Sequence, residues 1–223
     1  MTETRITTGG KERVERTVIL YKDAFRNDPV ITYMLCNLSR VARYAYLHSY
    51  FTSLLTAAGL NGAAFHEAND FGACSVVIAP GRRVDNPWTL VPAGLLGALW
   101  KLGFSGCMKM LVEYGQLSDA AKAKGLGEPK TYYYVFFVAT EEKSRGKGLS
   151  SALIRKAQEN ARRDSLPLWL EATTEYSWKL YEKLGFETVD RWVLGKGHAA
   201  ADGTAEKGGD GVPVWGMVWW PSK

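Results

Sequence analysis

The sequence predicts one mixed α/β domain, and three observations carry the prediction. Residues 131–193 alternate strand, helix, strand, helix, strand, which calls for right-handed crossovers and some parallel pairing. Ahead of them, 63–69 and 73–79 are apolar runs around Asp70, Phe71 and Gly72, the pattern of an antiparallel hairpin, ended by Pro80 and Gly81. A length of 223 residues, with 46% hydrophobic and 23% charged, suits a single well-buried core.

The polar N-terminus, MTETRITTGGKERVER, does not read as a secretory signal. Residues 16–26 (RTVILYKDAFR) space their apolar side chains as a helix and stop before Asn27, Asp28 and Pro29, which read as a turn. A longer helix is predicted over 38–60, where Leu38, Val41, Ala42, Ala45, Phe51, Leu54, Leu55 and Ala58 recur at helical steps, with Gly59 as its stop. Its Tyr44, Tyr46 and Tyr50 read as packing residues. A helical insertion follows over 87–127. Its apolar part, 88–112, is broken by Lys101 and Lys109 into runs shorter than the roughly 20 residues a membrane span needs, so a helix pair with a Gly-rich break at 103–106 is expected.

Residues 131–140 read as the strand that leads into a basic turn. The helix beyond it carries Leu149, Leu153, Ala157 and Ala161 on one face. A strand over 166–172, a helix over 175–184 closed by Gly185, and a strand over 186–193 complete the alternation. Gly, Ala and charge dominate 195–211, which reads as a mobile loop before a last strand over 212–220.

The net charge of +5 is spread along the chain with no basic run, which favours a phosphorylated small molecule over nucleic acid. Cys36, Cys74 and Cys107, with three histidines and no ligand spacing, predict free thiols in a reducing compartment and no metal site. A cytosolic protein is expected, with the nucleus left open.

The chemistry concentrates in YYYVFFVATEEKSRGKGLSSAL, residues 132–153. A strand enters a turn and leaves directly as a helix, whose first N–H groups and positive dipole end point outward. Gly146 and Gly148 let backbone approach a ligand, and Lys143, Arg145 and Lys147 add positive charge, so a ligand bearing several phosphates is implied. A dinucleotide fingerprint would need GxGxxG and a Walker loop a Lys-Ser/Thr pair; RGKGLSSA supplies neither.

These residues resemble the GCN5-related N-acetyltransferase (GNAT) superfamily, whose cofactor signature is Gln/Arg-x-x-Gly-x-Gly/Ala between a strand and a helix. KSRGKG, residues 143–148, fits it with Lys143 in the Gln/Arg position. A second signature, Tyr ahead of Gly-Phe at a helix end, stands as Tyr181, Gly185 and Phe186 with one residue more between. Within the superfamily the chain looks most like the puromycin N-acetyltransferase group: VAT at 138–140, GKGL at 146–149, Leu170 with Glu171, and YEKLGF at 181–186.

The resemblance implies the GNAT fold, with an antiparallel N-terminal hairpin and two central parallel strands that splay apart. It implies acetyl-CoA in that wedge, its pantetheine arm along Phe136, Phe137 and Val138 and its pyrophosphate on the backbone of Arg145, Gly146, Lys147, Gly148, Leu149 and Ser150. Ser177 stands where many relatives carry a cofactor-contacting Asn. The implied activity is direct acetyl transfer to a small-molecule amine in a ternary complex, in detoxification or secondary metabolism, by a monomer or homodimer. A protein or histone acetyltransferase and a non-catalytic acyl-CoA-binding protein are the alternatives.

Acyl transfer needs a donor to the thioester carbonyl, an acid for the departing thiolate and an acceptor for the amine's proton. The resemblance assigns the first to backbone near Val138 and the second to Tyr181. Glu171, at the C-terminal end of an apolar strand, is the candidate proton acceptor or cation partner. Glu141, Glu142 and His66 are further candidates. The insertion and the 195–211 loop are expected to wall and cover the acceptor pocket.

Overall fold

A computed structural model describes residues 4–84, 87–90, 92–94, 108–127 and 131–221. Seven strands form one sheet: β1 (Ile6–Gly9), β2 (Ala64–Ala68), β3 (Ala73–Ile78), β4 (Tyr133–Thr140), β5 (Leu168–Ala172), β6 (Glu187–Leu194) and β7 (Val212–Trp219), in spatial order β1-β2-β3-β4-β5-β7-β6. Pairing is antiparallel except between β4 and β5. The predicted crossover from β5 to β6 skips one place, which β7 fills.

Period-two alternation sorts the strand residues onto two faces. Cys74, Val76, Ile78 and Trp169 face α1 (Val14–Ala24) and α3 (Arg40–Leu60) on one side; Val77, Val135, Leu168, Leu170 and Met217 face the other, beneath α6 (Leu149–Arg163) and α7 (Glu175–Lys183). The apolar stripe of α6 buries Leu149, Leu153, Ala157 and Ala161 as its spacing predicts. Between α1 and α3 lies α2 (Pro29–Met34), and later come a turn of α-helix, α4 (Pro87–Leu90), a π-helical turn (Met108–Tyr114) and α5 (Gly115–Leu126). The helix pair and break expected at 88–112 lie largely outside the described residues. Among those described, no helix is long and apolar enough to cross a membrane.

One strand was not foreseen and three local readings need correction. Residues 6–9 form an edge strand on β2, although the polar N-terminus gave no apolar alternation to announce it. Asp28 and Pro29 open a helix: the Asp28 carboxylate accepts a hydrogen bond from Ile31 N at 3.0 Å, and Pro29 occupies the first helical position, where no N–H is needed. Gly59 does not stop α3, which runs to Leu60; a Cβ there would lie 3.2 Å from Lys11 Cα, so glycine serves a close approach. The 195–211 segment folds back on itself, with Gly197 N on Gly209 O, Ala200 N on Thr204 O and Glu206 N on His198 O.

Two irregularities place the site. In β4, Val76 of β3 faces Phe137 and Val77 faces Val135, so Phe136 is an extra, bulged residue. The bulge reverses the alternation, and Phe136 and Phe137 both lie on the α1/α3 side. Beyond it β4 and β5 part company: they pair only at Tyr133 with Leu168 and Tyr134 with Trp169. β5 instead follows β7, where a Cβ on Gly216 would lie 2.9 Å from the indoles of both Trp169 and Trp192.

Gly216→Ala should therefore lower stability by about 1–3 kcal/mol through overpacking of the two indoles. Urea unfolding checks this; an unchanged midpoint would mean that the tryptophans do not close over the glycine.

Candidate active site

The parting of β4 and β5 opens a cleft of about 1060 Å³. At its basic end β4 runs through a short turn (Glu142–Ser144) to Gly146 and Gly148, at φ +76° and +75°, and into α6. Gly148 caps α6 with no side-chain acceptor, so the first N–H groups of the helix remain for a ligand. A Cβ on either glycine would meet no atom within 4 Å, so the backbone there borders open space. The turn is braced from below. Glu141 N donates to Gly72 O at 2.9 Å, and Thr140 Oγ1 and Ser150 Oγ lie 2.5 Å apart. The hairpin beneath carries Asn69, Asp70 and Phe71 at positive φ, a strained run held by the Phe71 N–H bonded to Glu67 at 2.9 Å.

Arg145, Gly146, Gly148, Leu149 and Ser150 line the cleft. Lys143 does not: its side chain is 80% exposed and pairs with Glu141 at 3.0 Å, beside a neighbouring groove. Lys147 is exposed and is not among the described residues lining the cleft. Of the three cations expected around the turn, only Arg145 is among the described residues lining the cleft, beside backbone N–H groups at the start of α6. Phe136, Phe137 and Val138 line the next stretch. The Phe137 ring packs on Tyr21, Phe25 and Phe51, and its carbonyl oxygen accepts a hydrogen bond from Tyr21 Oη at 3.3 Å.

Tyr181 stands midway, only 7% exposed. Burial first, and then the negative charge of Asp28, push its phenol well above the ordinary range, so it stays protonated at neutral pH. One turn earlier, Ser177 forms a capping box with Thr174: its N–H donates to Thr174 Oγ1 at 3.1 Å, and its hydroxyl donates to Thr174 O at 2.9 Å. Ser177 lines the cleft with its hydroxyl already engaged in holding α7.

The far end is acidic and aromatic. Glu171 Oε1 accepts Trp169 Nε1 at 2.7 Å and Ser118 Oγ at 2.7 Å, with Lys122 Nζ at 3.6 Å; the Glu171 side chain is 3% exposed. Trp169 and Glu171 meet because residues two apart on a strand share a face. Opposite stands Asp28, which also accepts Thr173 Oγ1 at 2.7 Å. Burial raises its carboxyl above the usual carboxylate range. Tyr50, Tyr114 and Tyr134 complete this end, their phenols pushed up by burial first and then by the nearby carboxylates.

The sequence reading missed Asp28 and the wall it starts. Val30, Ile31 and Met34 of α2 line the cleft, while Pro29 and Tyr33 on its other side receive the 195–211 segment, where Gly195 and Gly203 approach too closely for any Cβ. Among the described lining residues none comes from 195–211, so this segment buttresses a wall of the cleft and does not cover it. Aspartate directly before proline was the available signal, since that pair opens helices. Glu142 reaches the cleft. His66 is elsewhere, beneath α6, its Nδ1 2.8 Å from Thr8 Oγ1 and its imidazole pushed down to about 4 by burial and then by Lys156 and Arg13.

Residues 86–186 match the model of the Acetyltransferase (GNAT) family. An uncharacterized N-acetyltransferase of Schizosaccharomyces pombe is 27% identical over 165 residues, covering 74% of this chain; the chain spans 66% of that relative's length. Similar folds include a Corynebacterium glutamicum structure described as histone acetyltransferase HPA2 and related acetyltransferase (19% identity, TM-score 0.62, 100% of this chain and 98% of that one). Others are the Drosophila melanogaster polyamine N-acetyltransferase that forms N-acetylagmatine (14%, 0.64, 98% and 100%) and arylalkylamine N-acetyltransferase 2 of Aedes aegypti (15%, 0.64, 99% and 100%). The fold is that of the GNAT acetyltransferases. The matched stretch and the named relative support that family and, with it, an acyl-transferring class of enzyme.

The raised carboxyl of Asp28 has a consequence for stability. A group that binds its proton more tightly when folded stabilises the fold at low pH and loses that contribution as pH rises through its folded value. Asp28→Asn keeps an oxygen for Ile31 N and removes the ionisation, so its Tm relative to wild type should climb from pH 4 to pH 8, by on the order of 1 kcal/mol or about 2–4 °C. Thermal melts at the two pH values test it; a difference independent of pH would show that the Asp28 charge costs the fold nothing.

Proposed function

We propose that this chain transfers an acetyl group from acetyl-CoA to the amine of a small molecule by direct attack in a ternary complex. The observation that carries the reading is the polarity of the cleft. An unblocked helix N-terminus with Arg145 lies at one end, two carboxylates among tyrosines at the other, and a protonated phenol between them. The two positive-φ glycines bordering open space fit a pyrophosphate, which needs backbone donors at close range.

Bound acetyl-CoA supplies an activated acetyl thioester and a thiolate leaving group. The Tyr181 hydroxyl holds the proton that the thiolate requires. The backbone near Val138, beyond the Phe136 bulge, is our choice of donor to the carbonyl oxygen. Asp28, whose charge is felt at the Tyr181 phenol, is our choice of carboxylate to attract the ammonium and take its proton, although Ile31 N and Thr173 Oγ1 hold its oxygens just as Trp169, Ser118 and Lys122 hold Glu171 Oε1. We assign Glu171 a positioning role: it fixes α5 against β5 and adds negative potential to the acceptor end.

Tyr50, Tyr114 and Tyr134 fit an amine whose body is apolar or aromatic. The agmatine and arylalkylamine enzymes of similar fold act on small amines, which agrees with this pocket. The motifs at 138–140, 146–149 and 181–186 leave the puromycin N-acetyltransferase group as our subgroup reading.

Tyr181→Phe should lower kcat by about 10²-fold or more while the Kd for CoA stays nearly unchanged. Because its phenol is raised, the wild-type rate should not fall on the alkaline side before pH about 10. Thiol release from acetyl-CoA across a panel of small amines, with a histone peptide alongside, measures both. Turnover of the peptide alone would replace the small acceptor with a protein, and CoA binding without release for any acceptor would leave only an acyl-CoA-binding role.

A further inference from the structure

Beside the cleft, and unused by the reaction above, Cys36 and Lys109 stand in contact. Lys109 Nζ lies 2.9 Å from Cys36 Sγ and 4.7 Å above the Tyr33 ring. That separation is typical of an N–H···O bond, about 2.9–3.0 Å, although sulfur is the larger atom. The pair sits where three elements meet. Tyr33 Oη donates to Glu113 Oε2 at 2.7 Å, and Gly195 N donates to Glu113 Oε1 at 2.8 Å, so α2, the π-helical turn and the start of the 195–211 segment are tied together around it.

We propose that Cys36 and Lys109 form an oxidative modification site at which a peroxide converts the contact into a covalent sulfur–nitrogen link. The reactive form of the pair is thiolate facing ammonium. The Cys36 sulfur attacks one peroxide oxygen; the O–O bond breaks, sulfur is oxidised to the sulfenic acid, and the departing hydroxide takes a proton from the Lys109 ammonium and leaves as water. Lys109 is thereby left as a neutral amine next to an electrophilic sulfur. Its Nζ attacks that sulfur, the S–N bond forms as the S–O bond breaks, and the hydroxyl leaves as a second water with a proton from nitrogen. Thiol, amine and one peroxide give the link and two waters.

The other described thiol does not compete. Cys74 is fully buried in the core, and burial pushes it up to about 12. Cys36 is part-exposed and reachable. The link would fasten the end of α2 to the π-helical turn, and these elements contribute Met34 and Tyr114 to the acceptor end. Oxidation would stiffen the acceptor wall while leaving the basic end alone. This consequence rests on the function proposed above, whereas the link itself does not.

The experiment uses full-length Cys107→Ser protein, so that no disulfide with that third cysteine of the sequence can substitute. It is treated with equimolar hydrogen peroxide, digested without reductant and read by peptide mass. The expected product joins the Cys36 and Lys109 peptides at two hydrogens less than their summed mass, reverts with dithiothreitol, and is absent from Cys36→Ser and Lys109→Arg variants. In Lys109→Arg, which keeps a cation beside the sulfur, a dimedone adduct should instead trap the sulfenic acid on Cys36. Cys36 recovered as free thiol, or oxidised without Lys109 attached, would overturn the proposal. A joined pair carrying one oxygen more would overturn the direct bond. None of these outcomes depends on acetyl transfer, so failure here and failure of the proposed activity are distinguishable.

Discussion

β4 and β5 share only two residue pairs, and the cleft exists because of that brevity. A parallel pair that separates exposes N–H and C=O groups on both inner edges, and those groups must be satisfied by whatever enters the gap. The separation has a cause on each side. On β4 the Phe136 bulge reverses the pleat and turns the strand; on β5 the pairing with β7 is continuous from Leu168 to Ala172 and leaves that strand no freedom to follow. Gly216 allows Trp169 and Trp192 to close over β7, and Trp169 in turn holds Glu171. One glycine in a central strand thus lies two contacts away from the acceptor end.

The cleft is an electrostatic gradient built from ordinary parts. Its positive end is a helix terminus with one arginine, where the orientation of backbone donors does more than the number of lysines. Its negative end is made of carboxylates held by neighbouring donors, and the cost of keeping them there appears in the raised carboxyl of Asp28 and the raised phenols around it. Tyr181 sits between the two, and the burial that makes its anion unfavourable also keeps its proton available.

What was legible followed short-range rules. The stripe Leu149, Leu153, Ala157 and Ala161 announced α6, the hairpin around Asp70 to Gly72 was signalled by its turn residues, and Gly146 and Gly148 between a strand and a helix identified the basic end. Asp28-Pro29 was misread because one dipeptide suits a turn and a helix start equally, and only the burial of Val30, Ile31 and Met34 selects the helix. Lys143 and Lys147 are not among the described residues lining the cleft, because sequence proximity says nothing of direction: Lys143 pairs with Glu141 and both side chains are exposed. The composition of 195–211 suggested a cover, yet Gly195 and Gly203 are sites of close approach to α2.

By itself the sequence determined most of the elements and the basic end of the cleft, because periodicity, turn chemistry and a glycine-bearing strand-to-helix corner depend on residues a few positions apart. Only the tertiary structure decided the acidic, aromatic end. Asp28, Glu171, Tyr114 and Tyr134 come from four separate segments, and their meeting depends on β7 entering between β5 and β6, on the bulge in β4 and on α2 packing beside them. Those are long-range arrangements, in which each side chain's role is set by the charge and burial that its neighbours impose.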